Sequence, residues 1–489
     1  MSEDKRSQEK PTPLREAASE FLRSGSGKVG TVFLLTLLAV SIYVLATYPL
    51  DFGLRLWNNP AEWADNPKAA QPAWVNLLGG VREVEHKVFE ADEATSVMAD
   101  SRGVVHSYVF TIDHPFDDPP TFISFTVSNV IYHAKPPVIT VILERPDNRE
   151  IRLYRLIVPG PRPGEATPIA RYHETPLRIH LSGASEVASE VSTFLRREFE
   201  VSVPSSELLI KGVDEAIFGV PKAEGSEGYH VLKGMYRVNI RATVYDPADS
   251  VGRVKFVVGG SVYGLMGTDG LGRDLAVGLL FGFPVALFIG LVTSTLTTLI
   301  GAFSGIVSGY KGGKTDTIIQ RGCDILVNIP LLPILIFLAF ILGQKLWVVI
   351  LILIVFGWPG LTIVIRSMVL QIRENQFIEA AVAQGASQRR IMLRHVFPQT
   401  APFVFAQLIF FVPSAILAEA ALSFLGLGDP SLPTWGQILE YGFRSGGVYV
   451  GYWWMVLPPG LLIVLTAMTF VLIALGMEPV INPRLRRMK

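Results

Sequence analysis

Long charge-free apolar runs constrain this chain more than any other feature. A helix needs about 20 predominantly apolar residues to cross a bilayer, and six stretches qualify: 31–50, a segment near 284–308, 325–344, 346–365, 402–422 and 453–476. The second belongs to a run without charge from Leu275 to Tyr310. That run is too long for one straight crossing and too short for a hairpin. It is expected to hold a turn or interfacial segment and then a span, with Pro284 near the span's start. The runs 325–344 and 346–365 are separated only by Lys345 and read as a tight helical hairpin. Six spans put both termini on one side.

Charge orients them. Lys+Arg and Asp+Glu are equal at 43 each, so composition argues for no nucleic-acid partner. The balance is uneven, however: residues 51–265 carry 22 basic and 28 acidic side chains, and the rest of the chain carries 21 and 15. Basic residues gather in a lead over 1–30, in 311–324, in 366–401 and after 483. By the positive-inside rule these segments face the cytoplasm, and residues 51–265 lie outside. The lead and the first apolar run are long for a secretory signal, so residues 31–50 read as a retained anchor in a multi-pass plasma-membrane protein.

The outer insertion is expected to be a mainly-β domain, a sandwich or barrel. TFISFTVSNVIYH (121–133), YRVNIRATVYD (236–246) and VKFVVGGSVYG (254–264) are rich in β-branched and aromatic residues, with period-two alternation in places. ERPDNRE (144–150) looks like a hairpin turn, and EVASEVSTFLRREF (186–199) has helical spacing. Cys323 is the only cysteine, so the domain stands without an internal disulfide. Seven of the eight histidines fall in the insertion, but none sits at a strong metal-ligand spacing. They read as ordinary surface or core residues, and no metal is expected.

Enzyme signatures are lacking. GYKGGKT (309–315) resembles a phosphate loop but has Ser308 where the motif requires glycine, and it follows an apolar helix rather than a strand. No catalytic residue is assigned. Glu419 is the one ionisable side chain well inside an expected span; it either serves a translocation pathway or bonds to a neighbouring helix. Trp435 either lines the outer mouth of a pathway or anchors at the membrane interface.

The segment over 376–400 stands apart because it is polar between two spans. FIEAAVAQ is a good helix former. Gly385 permits a change of direction or a close approach of another backbone. SQRRIMLRHVF resumes a helical pattern in which Ile391, Leu393 and Val396 can share one side, and Pro398 is expected to stop it. The alternative is a solvated amphipathic cytoplasmic loop.

Glu379, Ala380, Ala381, Gly385 and Pro398 stand in the spacing of the EAA loop, and the segment resembles that loop of ABC importer permeases. Arg394-His395-Val396-Phe397-Pro398 is similar to the form found in the dipeptide and oligopeptide branch. Further segments agree: GTDGLGRDL (267–275, with Gly267, Thr268, Asp269, Gly272, Arg273 and Asp274), GYKGGKTDTIIQRGCD (309–324), EAALSFLGLG (419–428), PTWG (433–436) and NPRLRR (482–487). The resemblance covers 267–489 almost end to end and implies a permease core over 266–489 with five helices, of the type I importer kind. It also implies that Glu379, Ala380, Ala381, Gly385, Arg389, Arg390, His395 and Pro398 dock on an ATPase. The implied partners are a second homologous permease, two ATP-binding cassette subunits that carry ATP and Mg, and an outer solute-binding protein for peptides or oligosaccharides. This sequence departs from the family in its large insertion and in GFPVAL (282–287), where relatives commonly have Gly-Ala-Arg. Two rival readings are a mechanotransmission subunit for export, favoured by the insertion, and a membrane sensor using the outer domain.

Overall fold

A computed structural model describes residues 20–80, 82–100, 103–222 and 228–481. Most of the expected cytoplasmic lead and the NPRLRR segment lie outside these residues. The chain divides into two compact units: Pro60–Ala276, and the residues up to Asn59 together with those from Val277 onward. The expected insertion ran over 51–265. The segment Gly53–Trp57 instead belongs with the helical unit, where Phe52 stacks on Phe281 and Trp57 fills the space over Gly278.

The Pro60–Ala276 unit is mainly antiparallel β-structure. A five-stranded sheet runs in the order Ser96–Asp100, Gly103–His114, Gly234–Val244, Val138–Glu144, Glu150–Ile157. A four-stranded sheet runs Lys87–Ala91, Val254–Val258, Ile123–Val127, Leu177–His180. Both contribute to one core, in which Tyr236, Val238 and Ile240 of the first meet Phe125, Val127 and Phe256 of the second. Register is fixed by alternation: along Gly234–Val244 those buried residues interleave with Arg237, Asn239 and Arg241, so a one-residue slip would bury the arginines. ERPDNRE forms the expected hairpin turn, with Arg145 N–H donating to the Arg149 carbonyl and Asn148 at φ +60. The expected helix forms as Ser185–Phe199, with Val187, Val191 and Leu195 in the core.

In the helical unit, five helices among the described residues are long and apolar enough to cross a membrane: Gly25–Thr47, Leu275–Lys311, Leu346–Arg373, Gln388–Phe424 and Trp453–Glu478. A sixth crossing is possible only as a bent pair, Gly313–Asn328 and Leu331–Leu342, at 86°. Three expectations are corrected here. The first helix starts at Gly25 and ends at Thr47 rather than spanning 31–50. The run from Leu275 holds no turn; it is one helix of 37 residues that passes through Pro284. In an apolar surrounding, breaking the helix would strand more backbone polar groups than the one bond proline removes. The 325–344 run is not one straight span. Ile329, preceding Pro330, is extended at ψ 125, and the chain turns there.

Glycines set the closeness of the helices. Gly301, Gly305 and Gly309 recur at every fourth residue of the 275–311 helix and meet Leu361, Ile365 and Val369 of the 346–373 helix. A Cβ placed at each would lie 3.0, 2.8 and 2.8 Å from the facing Cβ. Small residues at such spacing let two backbones approach where the surrounding lipid gives no hydrophobic drive. The first and last helices meet the same way, with a Cβ on Gly476 falling 2.7 Å from the Gly27 Cα.

Candidate functional site

The polar segment between the 346–373 and 397–424 helices is a helix–turn–helix built by its own residues. Gln376–Ala383 forms the first helix. Gly385 N–H donates to the Val382 carbonyl and Ala386 N–H to the Ala381 carbonyl, the paired bonds of a Schellman stop, and Gly385 takes the left-handed conformation at φ +78. Nothing lies within 4 Å of where its Cβ would be. Within the chain, then, this glycine serves a change of direction and not a close approach. Ser387 opens the second helix, its hydroxyl accepting the Arg390 N–H.

The second helix does not stop at Pro398. It passes through a π-turn over Met392–Val396 into Phe397–Phe424, with the proline in the first turn, where a missing N–H costs least. The expected face is also corrected. Ile391, Met392 and Val396 point inward, joined by Ile378, and pack against Ile365, Val369 and Ile306; Leu393, expected beside Ile391, is 72% exposed. At 3.6 residues per turn Leu393 lies about 200° round the helix from Ile391, whereas Met392 and Val396, four residues apart, share a side.

What remains outside is informative. Glu379, Ala380, Arg389, Arg390 and Pro398 are exposed, and Ala381 and His395 are half-buried. Phe377 and Val382 also stay exposed, although the inward side of the same helix is anchored by Ile378. The segment is thus fixed from behind and presents small, apolar and basic side chains to its front.

The other expected residues have structural partners. In GTDGLGRDL, Gly267 and Gly272 take positive φ. The Thr268 hydroxyl accepts the Ala70 N–H and donates to the Pro67 carbonyl. Asp269 accepts Arg273 Nε at 2.6 Å and the Leu271 and Arg273 N–H groups. Asp274 accepts the Ala276 N–H at the start of the long helix. The motif is a self-organised turn that launches a helix.

EAALSFLGLG and PTWG pack on one another through buried residues. Glu419 is enclosed and accepts the Ser423 hydroxyl at 2.6 Å. Gly436 sits on Ala420, and the Trp435 indole N–H donates to the Leu279 carbonyl at 2.8 Å above Gly282. Trp435 is therefore a buried tie to the 275–311 helix. In the β-rich unit His133, Asp246 and Asp249 converge, but Asp249 already accepts from His133 Nδ1 and from the N–H groups of His133, Tyr245 and Asp246, which closes a turn.

Sequence reasoning missed one ion pair. Arg366, assigned above to a loop over 366–401, lies in the 346–373 helix and binds Asp316 through Nε and Nη2, both at 2.6 Å. The signal was an acid and a base in two segments read separately. Beside the second helix a cavity of about 740 Å³ has apolar walls from Leu299, Phe303 and Phe405 and carries Lys311 and Arg389 among its lining.

Comparison with known proteins gives the family of the helical unit. Residues 298–487 match the family described as "Binding-protein-dependent transport system inner membrane component". The chain is 36% identical over 222 residues to the dipeptide transport system permease protein DppC of Bacillus subtilis, covering 45% of this chain and 69% of that protein. It is 34% identical to the oligopeptide transport system permease protein OppC of the same organism, covering 45% and 72%. The OppC protein of Haemophilus influenzae is 32% identical, at 45% and 71%. Among solved structures, a chain of the inward-facing MetNI methionine ABC transporter aligns at 21% identity and a TM-score of 0.35, over 42% of this chain and 96% of that one.

Proposed function

This chain belongs to the binding-protein-dependent transport permeases, and from that premise we propose that it forms half of the translocation pathway of an ATP-driven peptide importer. Its 376–400 segment transmits the state of separate ATPase subunits to the spans. The observation that carries this reading is the helix–turn–helix itself. It is anchored inward by Ile378, Ile391 and Val396, and it leaves Phe377, Val382 and the arginines outside. Apolar side chains held in water on a fixed element mark a surface that a partner covers.

In this reading the segment and both termini are cytoplasmic, following the basic loops, and the β-rich unit is extracytoplasmic. ATP and Mg bind on two cassette subunits, so this chain performs no hydrolysis. A second permease completes the pathway, and a solute-binding protein delivers the peptide. Closure of the ATPases favours one packing of the helices over another, and the docked segment carries that preference.

The test is reconstitution in lipid with a candidate partner permease, ATPases and binding protein. Replacing Gly385 with a bulky residue or Glu379 with Lys is expected to release the ATPases or abolish stimulation by binding protein. Full ATPase retention and stimulation in both variants would refute the docking role.

A further inference from the structure

Three helices meet behind the coupling segment, and one carboxylate joins them. Asp316 lies in the first turn of Gly313–Asn328. It receives Arg366 of the 346–373 helix in a two-pronged ion pair, both contacts at 2.6 Å. It also accepts the Ser308 hydroxyl of the 275–311 helix at 2.5 Å, and Gln320 donates to that same hydroxyl at 3.0 Å. Ser308 is fully buried and the Asp316 side chain is 18% exposed, so the pair is shielded from water more than a surface pair is.

The three helices are not equally constrained. The 275–311 and 346–373 helices are locked by the Gly301, Gly305 and Gly309 ladder and cannot slide without steric collision. The chain passes from the first of them into the 313–328 helix through Gly312 and Gly313, at φ +66 and +56, and no atom lies near where a Gly313 Cβ would be. That junction is a hinge by its backbone. Beyond the helix the chain turns 86° into Leu331–Leu342. Leu335 of the bent pair packs against Val348 and Ile352 of the 346–373 helix, and Asp316 adds a charged tie to Arg366 of that same helix, close to the glycine junction. From Arg366 the helix runs to Arg373 and enters the coupling segment at Gln376, with Ile365, Val369, Ile372 and Ile378 in one cluster.

Resting on the reading of 376–400 as the ATPase-coupled segment, we propose that Asp316 and Arg366 are a positioning pair. They deliver displacement of that segment to the bent helix pair 313–342, so that ATP use and substrate movement stay in step. Neither residue touches substrate or ATPase in this role. Cutting the pair leaves the coupling segment seated, because its apolar anchors are intact, but lets the bent pair lag.

The experiment uses the complete reconstituted complex and reads peptide transported per ATP hydrolysed. Asp316→Asn and Arg366→Gln are expected to retain the ATPases and to lower that ratio about tenfold, within the usual range of coupling between sites. The exchanged double variant, Asp316→Arg with Arg366→Asp, restores most of it. A purely structural pair would lower assembly and transport together and leave the ratio unchanged. A second variant removes dependence on folding: Asp316→Cys with Arg366→Cys in a Cys323→Ala background, tied by a short reducible bis-thiosulfonate bridge. The bridged complex should transport at a near-normal ratio and lose it on reduction of the same sample. Single variants at the unaltered ratio, or a bridge whose reduction changes nothing, overturn the pair alone. Absence of peptide transport by the unaltered complex overturns the importer reading and the pair with it.

Discussion

The two units of this chain solve the same problem, holding secondary structure together, with opposite materials. The β-rich unit seals a core of large side chains such as Tyr108, Phe125 and Phe256, and it ties its surface with ion pairs including Arg152–Glu190 and Arg171–Glu165. The helical unit removes side chains where its helices meet, at Gly301, Gly305, Gly309 and Gly476, and places one shielded ion pair, Asp316–Arg366, at a hinge. The difference follows from solvent. In water, burying apolar area stabilises. In lipid that gain vanishes between helices, and closeness of backbones takes its place. A shielded ion pair between helices of that unit therefore suggests a task, whereas ion pairs on the β-rich unit are the ordinary condition of a wet surface.

The largest expected effect follows from closeness. In Gly305→Leu even the first added carbon would lie 2.8 Å from Ile365 Cβ and 2.9 Å from the Thr362 carbonyl. The two helices must part, and no folded chain should be recovered from membranes in detergent. Recovery at the normal level would show that the glycine ladder is incidental.

In the β-rich unit the corresponding break is the loss of a side chain rather than its addition. Arg145 is fully buried. It donates to the carbonyls of Ala216, Ile217 and Gly219 and to Asp147, and its guanidinium lies 5.4 Å from the Phe194 ring centroid. Arg145→Met leaves those carbonyls and Asp147 without their donor. The expected cost is about 3–5 kcal/mol, the range for breaking a buried charge network. Hydrogen exchange in the full chain should show residues 213–219 losing protection first, with little change in the 275–311 helix. Equal loss in both would mean that the two units unfold as one.

How much of this was legible in sequence divides along the same line. The long apolar runs announced helices, and Gly385 between two helix-forming stretches announced the helix–turn–helix over 376–400. The helix ends went wrong where one residue overrode composition. Pro330 bends a run that hydropathy reads as continuous, and Pro284 fails to break one. Leu393 was misplaced because two residues along a helix carry a side chain about 200° round the axis, away from Ile391. The Asp316–Arg366 pair joins residues 50 apart, a distance that no local pattern spans. In the β-rich unit, alternation along 234–244 revealed strands, but the shared core of two sheets depends on pairings such as Val254 with Val127, which only the fold supplies.

A smaller effect separates the units by pH. Asp214 is enclosed in the β-rich unit, and burial pushes its carboxyl up to about 7 despite the bond from Ser182. A carboxyl raised above its unfolded value of 3.8 contributes its full stability below that value, and the contribution is lost as pH rises towards 7. Asp214→Asn keeps an acceptor for Ser182 and removes the charge. It should leave stability near pH 4 unchanged and raise it by roughly 2 kcal/mol at pH 8, below the limit of about 4 kcal/mol that the full shift would give. The readout is the pH dependence of exchange protection in residues 181–218 of the full chain. A flat difference between variant and parent would mean that water reaches the carboxylate.

The smallest effect tests whether a glycine can belong to a partner rather than to its own fold. Gly305 is required by space and Gly385 by conformation alone, since its surroundings are open. Gly385→Ala should cost the isolated chain about 1 kcal/mol, the penalty for a side chain in the left-handed region, and Gly385→Asn less, because asparagine tolerates that region. If conformation is the whole reason, ATPase retention follows the same order and asparagine outperforms alanine. If the ATPase presses against this turn, the order reverses in the complex while holding in the free chain, because asparagine is the larger side chain. The pair of substitutions, measured in both states, separates what the turn needs for its own shape from what the surface over it demands.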